Sequence, residues 1–78
     1  SVDREKWMAA LGGEENLIGM SPVAVTRIRL QLKDSGMIDT SSLERLGVEG
    51  VMRLEGNIVH LLMGVQAGEY AVALKTEA

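Results

Sequence analysis

The chain has 78 residues, enough for one small domain and close to the lower limit at which a hydrophobic core sustains a fold without a staple. It contains no cysteine, which excludes disulfides, zinc-thiolate sites and thiol nucleophiles, and its only aromatic residues, Trp7 and Tyr70, leave an aliphatic core of Leu, Ile, Val, Met and Ala. A formal charge of -3 with acids and bases interspersed offers no basic patch to a phosphate backbone, and no apolar run approaches the roughly 18 residues of a membrane span.

Asp3 and Glu5 followed by apolar Trp7, Met8 and Leu11, and then by Gly12-Gly13, predict a helix over residues 3–11 with a glycine stop. Residues 16–20 read as a short strand, and Ser21-Pro22 as a turn, because proline removes a ladder donor. From 23 to 32 the sequence alternates. Thr26, Ile28, Leu30 and Leu32 share one parity, and Val25, Arg27, Arg29 and Gln31 the other, which is the pattern of a half-buried strand. Residues 33–36 form a loop. Helix N-cap candidates from Asp39 to Ser42 then precede Leu43, Leu46 and a terminating Gly47. Residues 51–54 and 58–63 read as a hairpin about Glu55-Gly56-Asn57, and residues 66–75 as a final helix weakened by Gly68.

The order α-β-β-α-β-β-α predicts an α+β two-layer sandwich, a four-stranded antiparallel sheet covered by helices on one face. Parity then leaves Arg27, Arg29 and Gln31 on the uncovered face. The alternation of Val51, Arg53 and Glu55 against Met52 and Leu54 adds Arg53 to them, so three arginines are expected to share a surface. The five methionines fall at expected core positions as gap-fillers rather than as a soft metal site. No initiator Met and no signal-peptide pattern is present, and residues 1–78 are expected to be a single domain of a longer protein.

Gly12-Gly13-Glu14-Glu15-Asn16-Leu17 resembles the glycine-glycine-x-glutamate-asparagine-isoleucine motif of the enzyme IIB domains of the bacterial sugar phosphotransferase system, glucose and N-acetylglucosamine type. Thr26-Arg27-Ile28-Arg29-Leu30 resembles the threonine-arginine-leucine-arginine-valine segment that follows the family's phosphorylated cysteine. Ile38-Asp39 with residues 43–50 resembles its second helix and leucine-glycine-x-x-glycine exit, and residues 60–64 resemble its last strand. The matches are co-linear over nearly the whole chain. In the family, a cysteine two residues before the threonine takes phosphate from a IIA partner and passes it to sugar. The resemblance places that position at Ala24, the family's nearby acid at Pro22 and its last-strand glutamine at His60. A methyl group is no nucleophile. An isolated engineered Cys-to-Ala change would not account for Pro22 or His60, so the combination points to natural loss of transfer with retention of the fold.

Two function classes follow. The first is a non-transferring IIB-like domain that docks on a IIA-type phosphocarrier or on the membrane IIC domain of its own permease, on the cytoplasmic side of the plasma membrane and without inserting into it. The second is an active carrier with another acceptor, for which His60 is the candidate. A stand-alone regulatory module is a third reading. The resemblance assigns Arg27 and Arg29 to the charged surroundings of the phosphoryl group, since guanidinium donors suit phosphate oxygens, whereas the residues alone read equally as solvated strand arginines. Thr26, by its parity with Ile28 and Leu30, reads as a strand-capping or turn-bonding hydroxyl, and Ser21 lacks the base that a replacement nucleophile would need. Glu14-Glu15 and the Asp3/Glu5 pair read as solvated charges at helix ends rather than as acid-base pairs. No cofactor and no metal is expected, because one histidine without a carboxylate cluster makes a poor ligand set.

Overall fold

The first helix, α1 (Arg4–Ala10), starts where the Asp3 carboxylate accepts the backbone N–H of Lys6. It stops because Gly12 and Gly13 both adopt positive φ, +98° and +104°, which costs glycine little. Their N–H groups donate back to the Ala9 and Met8 carbonyls at 3.1 and 2.8 Å, the paired bonds of a Schellman cap. In the computed structural model, which describes residues 2–75, this device recurs at α2 (Thr40–Arg45). There Gly47 and Val48 donate to Glu44 and Leu43 at 3.1 and 3.0 Å, and Asp39 caps the N-terminus. The bond from Ser42 holds the Asp39 carboxyl below the usual carboxylate range.

Four strands, β1 (Leu17–Val23), β2 (Arg27–Leu32), β3 (Gly50–Leu54) and β4 (Ile58–Leu62), form one antiparallel sheet in the order β1-β2-β4-β3. A last helix, α3 (Ala67–Lys75), completes the predicted α-β-β-α-β-β-α order, and single 3-10 turns occupy Glu14–Asn16, Ser35–Met37 and Gly64–Gln66. The covered face follows from β2 and β4, where Ile28, Leu30, Leu32, Val59 and Leu61 are all buried beneath the helices. Trp7 and Tyr70 meet over this layer with ring centroids 5.5 Å apart, and Ala67, Ala71 and Leu74 complete it from α3.

Several expectations need correction. Ser21 and Pro22 lie inside β1, opposite Arg29 and Ile28, rather than in a turn. The strand is at the sheet edge, where a proline costs no ladder bond to a second neighbour. The turn falls instead at residues 24–26, so β2 starts at Arg27 and Thr26 is an exposed turn residue, not a member of the buried parity. In β3, Met52 pairs with His60 and Arg53 with Val59, so the parity is the reverse of that expected. Val51 packs on the core and Arg53 has the helix-face parity, reaching out at the edge to donate to the Ser35 carbonyl at 2.6 Å. Of the methionines, Met8 and Met63 are buried and Met20 packs on the core, whereas Met37 and Met52 are exposed.

Asn16, 4% exposed, ties the two halves together. Its amide donates to the Leu11 and Asp34 carbonyls at 2.8 and 3.0 Å and accepts the Asp34 N–H at 2.9 Å. A Cβ on Gly12 would sit 2.8 Å from Asn16 Nδ2 and 2.9 Å from Met37 Cβ, so the glycine and the asparagine are one device. Arg4 adds a surface link, donating to the Leu74 carbonyl at 2.8 Å and pairing with Glu14, whose carboxyl it holds below the usual range. Asn16→Ala removes the partner of the buried Leu11 carbonyl and of the part-buried N–H and carbonyl of Asp34. It is expected to lower unfolding free energy by about 2–4 kcal/mol in chemical denaturation, and a loss under about 1 kcal/mol would refute the role.

Candidate functional site

The sequence-predicted residues gather at one end and on the uncovered face of the sheet. Antiparallel pairing puts partners on the same face, so the register fixes three rows across it. Arg27 lies opposite Leu62, and Leu62 opposite Gly50. Arg29 lies opposite His60, with Ser21 on its other side and Met52 beyond His60. Gln31 faces Ile58, which faces Leu54. Arg27, Arg29 and His60 are thus brought together; Arg53 is not.

Both arginines are half-buried. Among the described residues neither makes an ion pair or a side-chain hydrogen bond. No Asp or Glu occurs in any strand, so this face is cationic in a chain whose net charge is -3. His60 is half-buried between Arg29 and Met52, and its Nδ1 is buried without a hydrogen-bond partner among the described residues.

Ala24 opens the turn from β1 to β2, exposed, with φ +56°. This left-handed conformation strains any residue that carries a Cβ, and such strain gathers at functional turns. The turn is held from the far side, where the Thr26 carbonyl accepts the Met63 N–H at 2.8 Å, and Val25 at its tip is 70% exposed. Position 24 is therefore presented outward from a fixed base, beside Arg27 at the start of β2. Sequence periodicity did not reveal this backbone, because Ala carries no left-handed signal. It also missed Met52 and Leu54 on the uncovered face, and the cue was Val51, whose burial fixes the parity of β3. Among the described residues no cluster of His, Asp and Glu is arranged to hold a metal.

No protein-family model matches the chain. It is 35% identical over 63 residues to the PTS system N-acetylglucosamine-specific EIICB component of Bacillus subtilis (strain 168), covering 81% of this chain and 14% of that protein. It is 32% identical over 69 residues to the N-acetylglucosamine-specific EIICBA component of Escherichia coli (strain K12), covering 88% of this chain and 10% of that protein. With the N-acetylglucosamine-specific EIIB component of Streptomyces coelicolor it shares 27% identity over 71 residues, which is 91% of this chain and 90% of that protein. The chain is a homologue of the EIIB component of the phosphotransferase system. It spans about a tenth of the length of the Escherichia coli relative but nearly all of the single-component Streptomyces one. The EIIB resemblance read from the glycine, arginine and leucine-glycine motifs is thereby established, together with the α+β sandwich.

Ala24→Gly tests the strained turn of this EIIB homologue. Relief of the left-handed Cβ is expected to offset the entropy glycine loses on folding, leaving stability unchanged or raised by up to about 1 kcal/mol. Ala24→Val, β-branched, is expected to lower it by about 1–2 kcal/mol. A loss of about 1 kcal/mol in the glycine variant, as at an unstrained position, contradicts the assignment.

Proposed function

We propose that the chain is the IIB-like domain of a glucose or N-acetylglucosamine-type permease in which phosphoryl transfer has been lost and the docking surface kept. The observation that carries this reading is a chain without cysteine whose strained, exposed turn presents Ala24 close to the start of β2, a strand whose Arg27 and Arg29 have no ion-pair partner among the described residues. The family's acceptor cysteine falls at Ala24 by the resemblance of the Thr26-Arg27-Ile28-Arg29 segment that follows it. Its acid falls at Pro22, which has no ionisable group and lies exposed on the edge strand. Arg27 and Arg29, retained, supply donors to an anionic group on a partner, either a IIA-type phosphocarrier or the IIC domain of the same permease. The Escherichia coli relative is an EIICBA component and the Bacillus subtilis one an EIICB component, which supports a fused or associated membrane partner and a place at the cytoplasmic face of the membrane. No helix among the described residues is long and apolar enough to cross a membrane.

His60 is the alternative acceptor. Its Nδ1 is buried, which leaves Nε2 as the nitrogen open to a phosphoryl group, and no carboxylate in the strands stands ready to orient or activate the ring. Incubation with phosphoenolpyruvate, the general phosphotransferase proteins and a IIA partner, read by intact mass, is expected to leave the chain unmodified. An added phosphoryl group overturns the proposal, and its loss in His60→Gln would locate it.

The geometry also makes a forward prediction. In Ala24→Cys, the thiol sits in a turn that leads into Arg27, which favours thiolate, so alkylation at neutral pH is expected to be about ten times faster than for a cysteine placed at Val72, exposed and away from any helix N-terminus. Equal rates would mean that position 24 does not share the arginine environment.

A further inference from the structure

The two edges of the sheet are finished differently. β1 carries Pro22 and a register break between Leu17 and Gly19, and Arg4, Leu74 and Lys75 lie along its Leu17–Met20 stretch. Prolines and bulges are devices that keep an edge strand from pairing with another chain. β3 has neither. Its register with β4 runs from Gly50 to Leu54 without a break, and its Met52 and Leu54 are 38% and 43% exposed. An unbroken row of backbone donors and acceptors beside exposed apolar side chains is a template for a further strand.

We propose that the free edge of β3 pairs antiparallel with β3 of a second copy of this chain, about a two-fold axis at Val51. In an antiparallel ladder only residues whose backbone groups point the same way face each other, so a two-fold between identical strands must pass through a residue. Axes at Val51, Met52 and Arg53 are the ones that leave a substantial part of β3 paired. An axis at Arg53 sets the two guanidinium groups against each other, and an axis at Met52 sets Glu49 against Glu55 at both ends. An axis at Val51 sets Glu49 of each copy opposite Arg53 of the other, with Cβ atoms about 5 Å apart, and opposite charges so placed stabilise a ladder. Charge therefore selects both the partner and the register.

Both members of that pair are available. Glu49, two residues before Val51, shares the helix-face parity of Val51 and Arg53; it is exposed, and among the described residues its carboxylate makes no ion pair or hydrogen bond. Arg53 spends one guanidinium nitrogen on the Ser35 carbonyl, which leaves donors for a carboxylate. On the uncovered face, Met52 of each copy comes opposite Gly50 of the other. A Cβ on Gly50 would sit 2.8 Å from Leu62 Cδ1, so Leu62 leans over the glycine and gives the incoming Met52 an apolar seat. The proposal does not rest on the loss of phosphoryl transfer, so it stands or falls separately from the mass experiment.

Sedimentation equilibrium of the intact chain is expected to show monomer and dimer with a midpoint of about 0.1–1 mM, since one short strand pair buries less than a standard interface, and a weaker dimer at high salt. Hydrogen exchange compared at about 1 mM and about 10 μM is expected to slow at the amides of residues 49–53 and to stay the same in β1. Arg53→Glu and Glu49→Arg are each expected to weaken dimerisation at least about tenfold. The double variant Glu49→Arg/Arg53→Glu, in which the pair is reversed, is expected to recover it to within about threefold. Thermal unfolding checks each variant, and exchange on the unaltered chain decides the matter even where a variant fails to fold. A chain that stays monomeric at about 1 mM overturns the proposal and leaves the edge to a strand of another protein. Protection confined to β1 or to the helices, single reversals that dimerise like the unaltered chain, or a folded double variant as weak as the single ones also overturns it.

Discussion

Pairing of β2 with β4 at the middle of the sheet is the interaction on which the rest depends. Both strands are hydrogen-bonded on two sides, and their alternating residues set Ile28, Leu30, Val59 and Leu61 under the helices. The same register necessarily sends Arg27, Arg29 and His60 to the opposite face. A slip of one residue would bury the arginines and expose the core, so the burial energy of four aliphatic side chains fixes the position of the cations. Among the described residues, three short helices cover one face of the four strands and none covers the other.

Around that centre the loops are fixed by hydrogen bonds that apolar packing alone would not supply. Asn16 binds the end of α1 to the segment after β2, and Schellman caps end both α1 and α2 without fraying. The bond from Met63 to the Thr26 carbonyl anchors the turn that carries Ala24. A left-handed alanine costs about 1 kcal/mol or more, and persists only where its surroundings over-determine it. Here the two flanking strands and that anchoring bond do so. Strain at position 24 is therefore a property of the scaffold, and it remains whether or not the side chain does chemistry.

What was legible in the sequence follows the same physics. In β2 every second residue is a large aliphatic and every other one is polar, so parity read directly into burial. In β3 the edge strand has a neighbour on one side only, and Met52 and Leu54 are apolar on the exposed face while Arg53 is charged on the covered one; hydropathy alternation there pointed the wrong way. Pro22 read as a turn because proline is excluded from central strands, and nothing local announces that a strand lies at an edge. Gly12-Gly13 was legible as a stop, but its tie to Asn16 joins residues whose partners lie 18 positions on, beyond any window of periodicity. The arginine pair was found from alternation; its lack of counter-charge required the register of all four strands.

The fold places no packing demand on the side chain at position 24. Position 24 is exposed and contributes nothing to the core, so a cysteine can be exchanged for alanine there with no cavity and no unsatisfied buried group. The same freedom holds at Pro22, exposed on the edge strand. Arg27 and Arg29 are different: each is half-buried, so truncation removes buried side-chain surface as well as charge. Arg27 and Arg29, two residues apart along β2, also repel each other, a modest cost that an acidic residue on β1 or β4 would relieve, and neither strand holds one.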